Sequence, residues 1–133
     1  MSYALRESLP TPKEFVALRE AAGMTSRTLK AAERGLPNSC YGVTVVHDGD
    51  VVGMGRIVGD GATVLQLTDI AVHPDHQGRG LGTEITQALV DWLHENAPPS
   101  AYVNLVADVD GFYEQFGFEP TAPASKGMYL RIE

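Results

Sequence analysis

The sequence predicts an α/β domain built on a mixed, mostly antiparallel twisted sheet flanked by helices. Three observations predict it. Residues 41–72 hold three strand-like segments separated by the turns Asp48-Gly49-Asp50 and Gly59-Asp60-Gly61, which is the pattern of an antiparallel meander. An amphipathic helix then runs from Arg79 to Asn96, with Leu81, Ile85, Ala88, Leu89, Trp92 and Leu93 at helical spacing. The apolar segment Tyr102–Ala107 follows, which makes that helix a crossover between two strands of one sheet.

Taken in order, Tyr3–Leu9 reads as a short first strand. Thr11-Pro12-Lys13-Glu14 is a helix start, with Thr11 as N-cap, Pro12 in the first helical position and Glu14 closing a capping box. Phe15, Leu18, Ala21 and Ala22 share one face, and Gly23 ends the helix. Ser26 is the expected cap of a second short helix through Leu29, Ala32 and Glu33 to Gly35. The three meander strands are Tyr41–His47, Val51–Val58 and Ala62–Val72, and Gly53 and Gly55 point to a bulge or a close backbone approach. Pro98-Pro99 stops the long helix. Gly111–Phe116 reads as a short helix closed by Gly117, Phe118-Glu119 as the start of a strand, and Met128–Ile132 as a final strand.

At 133 residues the chain fits one domain, 1–133, and 44% hydrophobic with 20% charged residues fits an ordinary globule. The net charge of −7 disfavours nucleic acid as a partner and is compatible with a cationic small substrate. No apolar run is long enough to span a membrane and the first residues carry no signal-peptide core, so no membrane partner and a cytoplasmic location are expected. A single cysteine, Cys40, precludes an internal disulfide, and it reads as a small hydrophobe rather than a nucleophile. Trp92 reads as packing. No spacing of His and Cys suggests a metal site.

The chemistry concentrates in Asp69–Gly82, where an apolar strand runs through a polar turn into Gly78-Arg79-Gly80-Leu81-Gly82 and then a helix. The first-turn N–H groups of a helix have no internal partner, and glycines let an anion reach them. A phosphate cradle follows, with a ligand-free tight turn as the alternative. A Walker A loop is excluded because no Lys-Ser/Thr follows, and G-x-G-x-G is one residue short of the dinucleotide fingerprint.

Gln77-Gly78-Arg79-Gly80-Leu81-Gly82 resembles Q/R-x-x-G-x-G/A, the acyl-CoA pyrophosphate motif of the GNAT acetyltransferases. Asp69–Pro74 looks like the strand that precedes it, and Phe112-Tyr113-Glu114-Gln115-Phe116-Gly117-Phe118 resembles the F-Y-x-x-x-G-F signature, in the same order. Leu36–Tyr41, Val52–Arg56 and Lys126-Gly127-Met128 look like a branch that includes plant and cyanobacterial serotonin N-acetyltransferases.

The resemblance implies a GNAT fold splayed between the fourth and fifth strands and acetyl-CoA as cosubstrate, with no metal. It implies that Ile70, Ala71 and Val72 pair with the pantetheine arm and that Gln77, Gly78, Arg79, Gly80, Leu81, Gly82 and Thr83 take the pyrophosphate. His76 adds charge there and Phe112 lies beside the cofactor. An oxyanion is bound by a backbone N–H near Ile70, and Tyr113 returns a proton to the CoA thiolate.

The general base stays open. Gln66 stands where some relatives have Glu and cannot serve. Asp69 is a base, a base through water, a binder of the ammonium group, or a partner for backbone at a bulge. His47 is expected at the surface and His73 near the cofactor. Arg56 and Asp60 either line the acceptor side or are solvated charges. The implied reaction is N-acetylation of a small-molecule primary amine. A protein or peptide amine and a non-catalytic acetyl-CoA sensor are the alternatives, and a homodimer is expected by resemblance.

Overall fold

Residues 2–133 are described by the computed structural model. In chain order they form β1 (Ala4–Arg6), α1 (Pro12–Ala21), α2 (Leu29–Gly35), β2 (Tyr41–His47), β3 (Asp50–Gly59), β4 (Val64–Val72), α3 (Leu81–Asn96) and β5 (Tyr102–Asn104). Single 3-10 turns cover Leu36–Asn38, Pro74–His76 and Tyr113–Phe116. The sheet order is β1-β2-β3-β4-β5, antiparallel up to β4 and parallel between β4 and β5.

Local chemistry sets the boundaries. Thr11 Oγ1 accepts from the Glu14 N–H at 3.2 Å while Glu14 Oε1 accepts from the Thr11 N–H at 2.8 Å, so the capping box forms. The second helix is capped by Thr28, not Ser26. Thr28 is extended and accepts from the Ala31 N–H at 3.1 Å, so the cap lies beyond the expected Ser26. Asp48 and Gly49 both have positive φ, as a two-residue I′ hairpin requires, and His47 pairs with Asp50 across it. Asp60 neither lines a pocket nor stands free. It accepts from the N–H groups of Ala62, Thr63 and Val64 and from the Thr63 hydroxyl, and these bonds hold its carboxyl well below the usual range.

Two buried layers flank the sheet. On one face Leu81, Ile85, Leu89 and Leu93 of α3 pack on Val43, Val45, Ile57, Leu65 and Leu67. Trp92 stacks on Tyr41, with ring centroids 5.3 Å apart. On the other face Phe15 and Leu18 of α1, Ala32 of α2 and Leu36 meet Met54 and Ala71. Each fully buried Val, Leu, Ile, Phe or Met side chain there contributes roughly 1.5–3 kcal/mol by leaving water. No helix among the described residues is long and apolar enough to cross a membrane.

The chain after α3 is less regular than expected. β5 ends at Asn104 rather than Ala107, and neither Phe118-Glu119 nor Met128–Ile132 joins a ladder. Pro120 and Pro123 lack the N–H that strand pairing needs. The tail leaves Met128, Tyr129, Leu130 and Ile132 85–89% exposed, and β5 is the last strand of the sheet, with no neighbour on its outer side.

Candidate active site

The site begins where β4 and β5 part. Val64, Leu65 and Gln66 pair in parallel with Tyr102, Val103 and Asn104, and the ladder stops there. β4 runs on from Leu67 to Val72, leaving about 20 Å of strand without a neighbour on that side. At the crotch Gln66 Nε2 donates to Asn104 Oδ1 at 3.1 Å. The splay is therefore where the resemblance places it.

On its other side β4 carries a bulge. Met54 pairs with Ala71 and Arg56 with Thr68, so Gly55 alone faces both Asp69 and Ile70. Asp69 takes a φ of +57°, the left-handed region that a non-glycine residue occupies at a cost. Gly55 is required here. A Cβ on it would lie 2.6 Å from Ile85 Cγ2 and 3.3 Å from Ile70 Cγ1, so the bulged strand, β3 and α3 meet with no room for a side chain.

Beyond Val72 the chain turns through Pro74–His76 into the glycine segment. Gln77 Nε2 donates back to the Val72 carbonyl at 3.0 Å, clasping the turn to the end of β4. Gly78 and Gly80 have φ of +78° and +79° and open space where a Cβ would sit. Gly80 caps α3, and the N–H groups of Leu81, Gly82 and Thr83 form its first turn, with no carbonyl four residues back to take them. The Leu81 side chain is buried in the core, so its backbone is what it can offer a ligand. These features fit an acyl-CoA: open strand groups for its amides and free N–H groups with a helix N-terminus for its pyrophosphate. Among the described residues no group of three His, Cys, Asp or Glu could hold a metal ion.

His47 and His76 gather around Tyr3. His76 Nδ1 is bonded to the Tyr3 hydroxyl at 2.9 Å, and His47 stacks on the Tyr3 ring at 4.6 Å with its own side chain 12% exposed. His47 is thus covered by the residues that precede β1 rather than standing at the surface. His73 Nδ1 accepts from the Asp75 N–H and caps the short turn. Arg79 lies 6.0 Å over the Tyr3 ring.

Asp69 lies at the bulge, held on both sides. Its side chain is 5% exposed and both oxygens are taken. Oδ1 is bonded to Arg19 Nη1, and Oδ2 accepts from Arg56 Nε at 2.6 Å. With each oxygen bonded to a guanidinium and the side chain 5% exposed, the carboxylate is stabilised in its charged form and shielded from an incoming amine, and the backbone at the bulge is held through the side chain. Arg19 also donates from Nε and Nη2 to the Thr25 carbonyl, and burial pulls its pKa down while Asp69 opposes the shift. Both guanidinium groups lie over Phe15, at 5.9 and 5.5 Å from the ring centre. The reading of the sequence missed Arg19. The signal was present, since Arg19 shares the face of Phe15 and Leu18, and an arginine on an apolar stripe needs a buried partner.

Tyr113 begins the last 3-10 turn. Its half-buried ring lies edge-on to Phe112 at 5.0 Å and near Phe118 at 6.2 Å, and Phe112 also meets Phe116. Burial first, then the Asp108 charge, raises its phenol pKa above the ordinary value.

A sheet parted at one strand pair, with a bulge beside the gap and a glycine-rich helix start at its end, is an arrangement that suits an acyl-CoA. The acetyltransferase (GNAT) family model matches residues 4–118, and the chain belongs to that family. Its activity class is acetyl-CoA-dependent acetyl transfer. A solved structure of a probable acetyltransferase from meticillin-resistant Staphylococcus aureus superposes with a TM-score of 0.93 at 41% identity, over 98% of this chain and 100% of that one. The uncharacterized N-acetyltransferase ycf52 of Pyropia yezoensis is 28% identical over 120 residues, 87% of this chain and 69% of that protein. A GNAT acetyltransferase of Brucella melitensis, solved with acetyl-CoA, shares the fold at a TM-score of 0.66 and 22% identity, over 89% of this chain and 83% of that one.

Proposed function

We propose that the protein moves the acetyl group of acetyl-CoA to the primary amine of a small molecule by direct attack, with Tyr113 as general acid. The observation that carries this reading is the alignment of the parted strands, the bulge and the α3 N-terminus along one strand.

Acetyl-CoA supplies a thioester carbonyl open to attack. Ile70, Ala71 and Val72 pair with the amides of the pantetheine arm, and the N–H groups from Gly78 to Thr83 hold the phosphates with Arg79. Gln77 keeps that turn on the strand, and Phe112 packs beside Tyr113. A backbone N–H near Ile70 receives the charge that develops on the carbonyl oxygen. Tyr113, protonated at neutral pH, gives its proton to the departing thiolate. Asp69 positions the bulge, and the amine loses its proton to water. Gln66 and Asn104, bonded at the crotch, keep one amide oxygen and one amide nitrogen to orient it.

The expected homodimer belongs to this proposal. It is supported by the apolar tail around Met128–Ile132 and by a groove of about 490 Å³ between Leu93, Tyr102 and Phe116–Phe118, alongside the open edge of β5.

The test is release of free thiol from acetyl-CoA over a panel of amines that includes serotonin and tryptamine. Turnover of small amines supports the proposal. Turnover confined to lysine peptides or peptide N-termini makes the protein a protein acetyltransferase, and acetyl-CoA binding without thiol release makes it a sensor.

A further inference from the structure

The two arginines at the bulge are bonded differently. Arg19 is consumed by its surroundings, because Nε and Nη2 donate to the Thr25 carbonyl and Nη1 to Asp69. Arg56 is equally well held but incompletely engaged. Nε donates to Asp69, Nη1 donates to Ser39 Oγ at 3.0 Å, and the Phe15 ring lies beneath the guanidinium. Among the described residues Nη2 has no partner. The side chain is 18% exposed, and no buried polar atom there lacks a bond, so Nη2 is open to solvent. An arginine fixed on one edge and free on the other is preorganised to receive an anion in its fork.

Local charge points the same way. Asp69 is the one carboxylate acting on Arg19, whereas Arg27 and Arg56 both repel it. A chain with a net charge of −7 therefore holds a positive patch where α1 meets β3 and β4. Location gives the patch its meaning. Arg56 pairs with Thr68 and Val58 with Gln66, so alternation places Arg56, Thr68 and Gln66 on one face of the sheet. Gln66 stands at the crotch, and Arg56 touches the bulge residue that adjoins Ile70. The patch is thus one strand away from the reacting centre, on the face where Gln66 and Asn104 meet.

We infer that Arg56 binds a carboxylate on the acceptor, so that the substrate is an amine carrying an acid group a short spacer away, as in an amino acid, rather than a plain arylalkylamine or a polyamine. The inference rests on the acetyltransferase reading and narrows it. A second positive charge on the acceptor would meet Arg56 and Arg19 with their one counter-charge already shared, which disfavours polyamines.

The experiment compares three forms of each of several amino acids: the free acid, its carboxamide and its decarboxylated amine. All are offered with acetyl-CoA to the wild-type protein, Arg56→Lys and Arg56→Met. The acid should exceed the amide in kcat/KM by about tenfold to a hundredfold in the wild type, the range of a charge-assisted hydrogen bond pair. Arg56→Lys should keep a reduced preference and Arg56→Met should bring the ratio close to one. The ratio is internal to each protein, so partial loss of folded material lowers both rates together and leaves it intact. Equal or better use of the amide or the decarboxylated amine by the wild type overturns the inference, as does an acid-to-amide ratio unchanged in Arg56→Met. If no acceptor releases thiol, the enzyme reading falls, and calorimetric binding of the same compounds to the CoA-loaded protein decides the inference alone: acids should bind at least tenfold tighter than amides, and equal binding refutes it.

Discussion

Replacing Asp69 with asparagine separates a structural anchor from a catalytic base. The substitution keeps the shape and removes the charge. Arg19, 5% exposed, then stays buried without a counter-ion, and breaking such a pair costs about 3–5 kcal/mol. For 133 residues, an unfolding entropy of about 2.1 cal/mol/K per residue gives about 0.28 kcal/mol/K. The melting temperature should therefore fall by about 11–18 °C, read by circular dichroism. The left-handed backbone at Asp69 adds to the loss, because asparagine tolerates that region but no longer ties it to two guanidinium groups. Well below the new melting temperature, with saturating substrates, turnover should keep the wild-type pH profile. An almost unchanged melting temperature with turnover down by about a hundredfold or more, the scale of a lost general base, would refute the anchor and restore Asp69 as base.

Gly55→Ala forces a Cβ to within 2.6 Å of Ile85 Cγ2, a methyl fixed on a β-branched carbon, and should cost about 1–3 kcal/mol, or about 4–11 °C. Adding Ile85→Leu, which removes that methyl, should recover part of the loss, and a melting temperature of Gly55→Ala equal to wild type would refute the close packing. Tyr113→Phe should lower turnover by about 10²–10⁴ with acetyl-CoA affinity nearly unchanged, and unaltered turnover removes it as the acid. The Tyr41 phenol is pushed up to about 12, by burial first and then by its bond to Glu7. The folded value lies above the unfolded one of 10.0, so this contribution to stability is intact below pH 10 and is lost as pH rises towards 12. Urea midpoints on either side of that window should show a steeper alkaline loss for the wild type than for Tyr41→Phe. Truncation after Lys126 removes the exposed apolar tail and should turn a dimer into a monomer in sedimentation, and an unchanged mass would separate the tail from assembly.

Elements whose determinants are local were legible in the sequence. The capping box at Thr11, the I′ turn at Asp48-Gly49 and the α3 stripe are each written within a few residues, and the cradle follows from glycines at a helix start. The bulges were legible in part. Gly53 marks one on β3 itself, where Val52 is the extra residue against β2, whereas Gly55 marks a second whose extra residue is on β4, because the partner without a side chain makes room. Long-range pairings were not legible. Arg19 and Asp69 are 50 positions apart and Arg56 and Asp69 13 apart, and no local pattern couples them. The same holds for Tyr3 and His76, 73 positions apart, whose bond ties the turn after β4 to the residue before β1. The missing strands after β5 have a similar cause, since the outer edge that would fix their register has no neighbour within the described chain.

The buried carboxylate also ties the helical connection to the bulge on β4. α1 and α2 cover one face of the sheet, and the connection between them is fixed by Arg19, which grips the Thr25 carbonyl with two donors. The same guanidinium bonds Asp69, which sets the bulge next to Ile70, and Asp69 in turn holds Arg56 on β3. On the proposed function, a shift of the α1–α2 connection should be felt at the backbone near Ile70, because direct hydrogen bonds link Thr25, Arg19 and Asp69. A solvated ion pair re-forms around water, whereas a pair with 5% exposure on both partners is confined by its packing. Substrates that press on the helical connection should thus change kcat as well as KM, while changes on the solvent face of α2, at Lys30 or Glu33, should leave both unaltered.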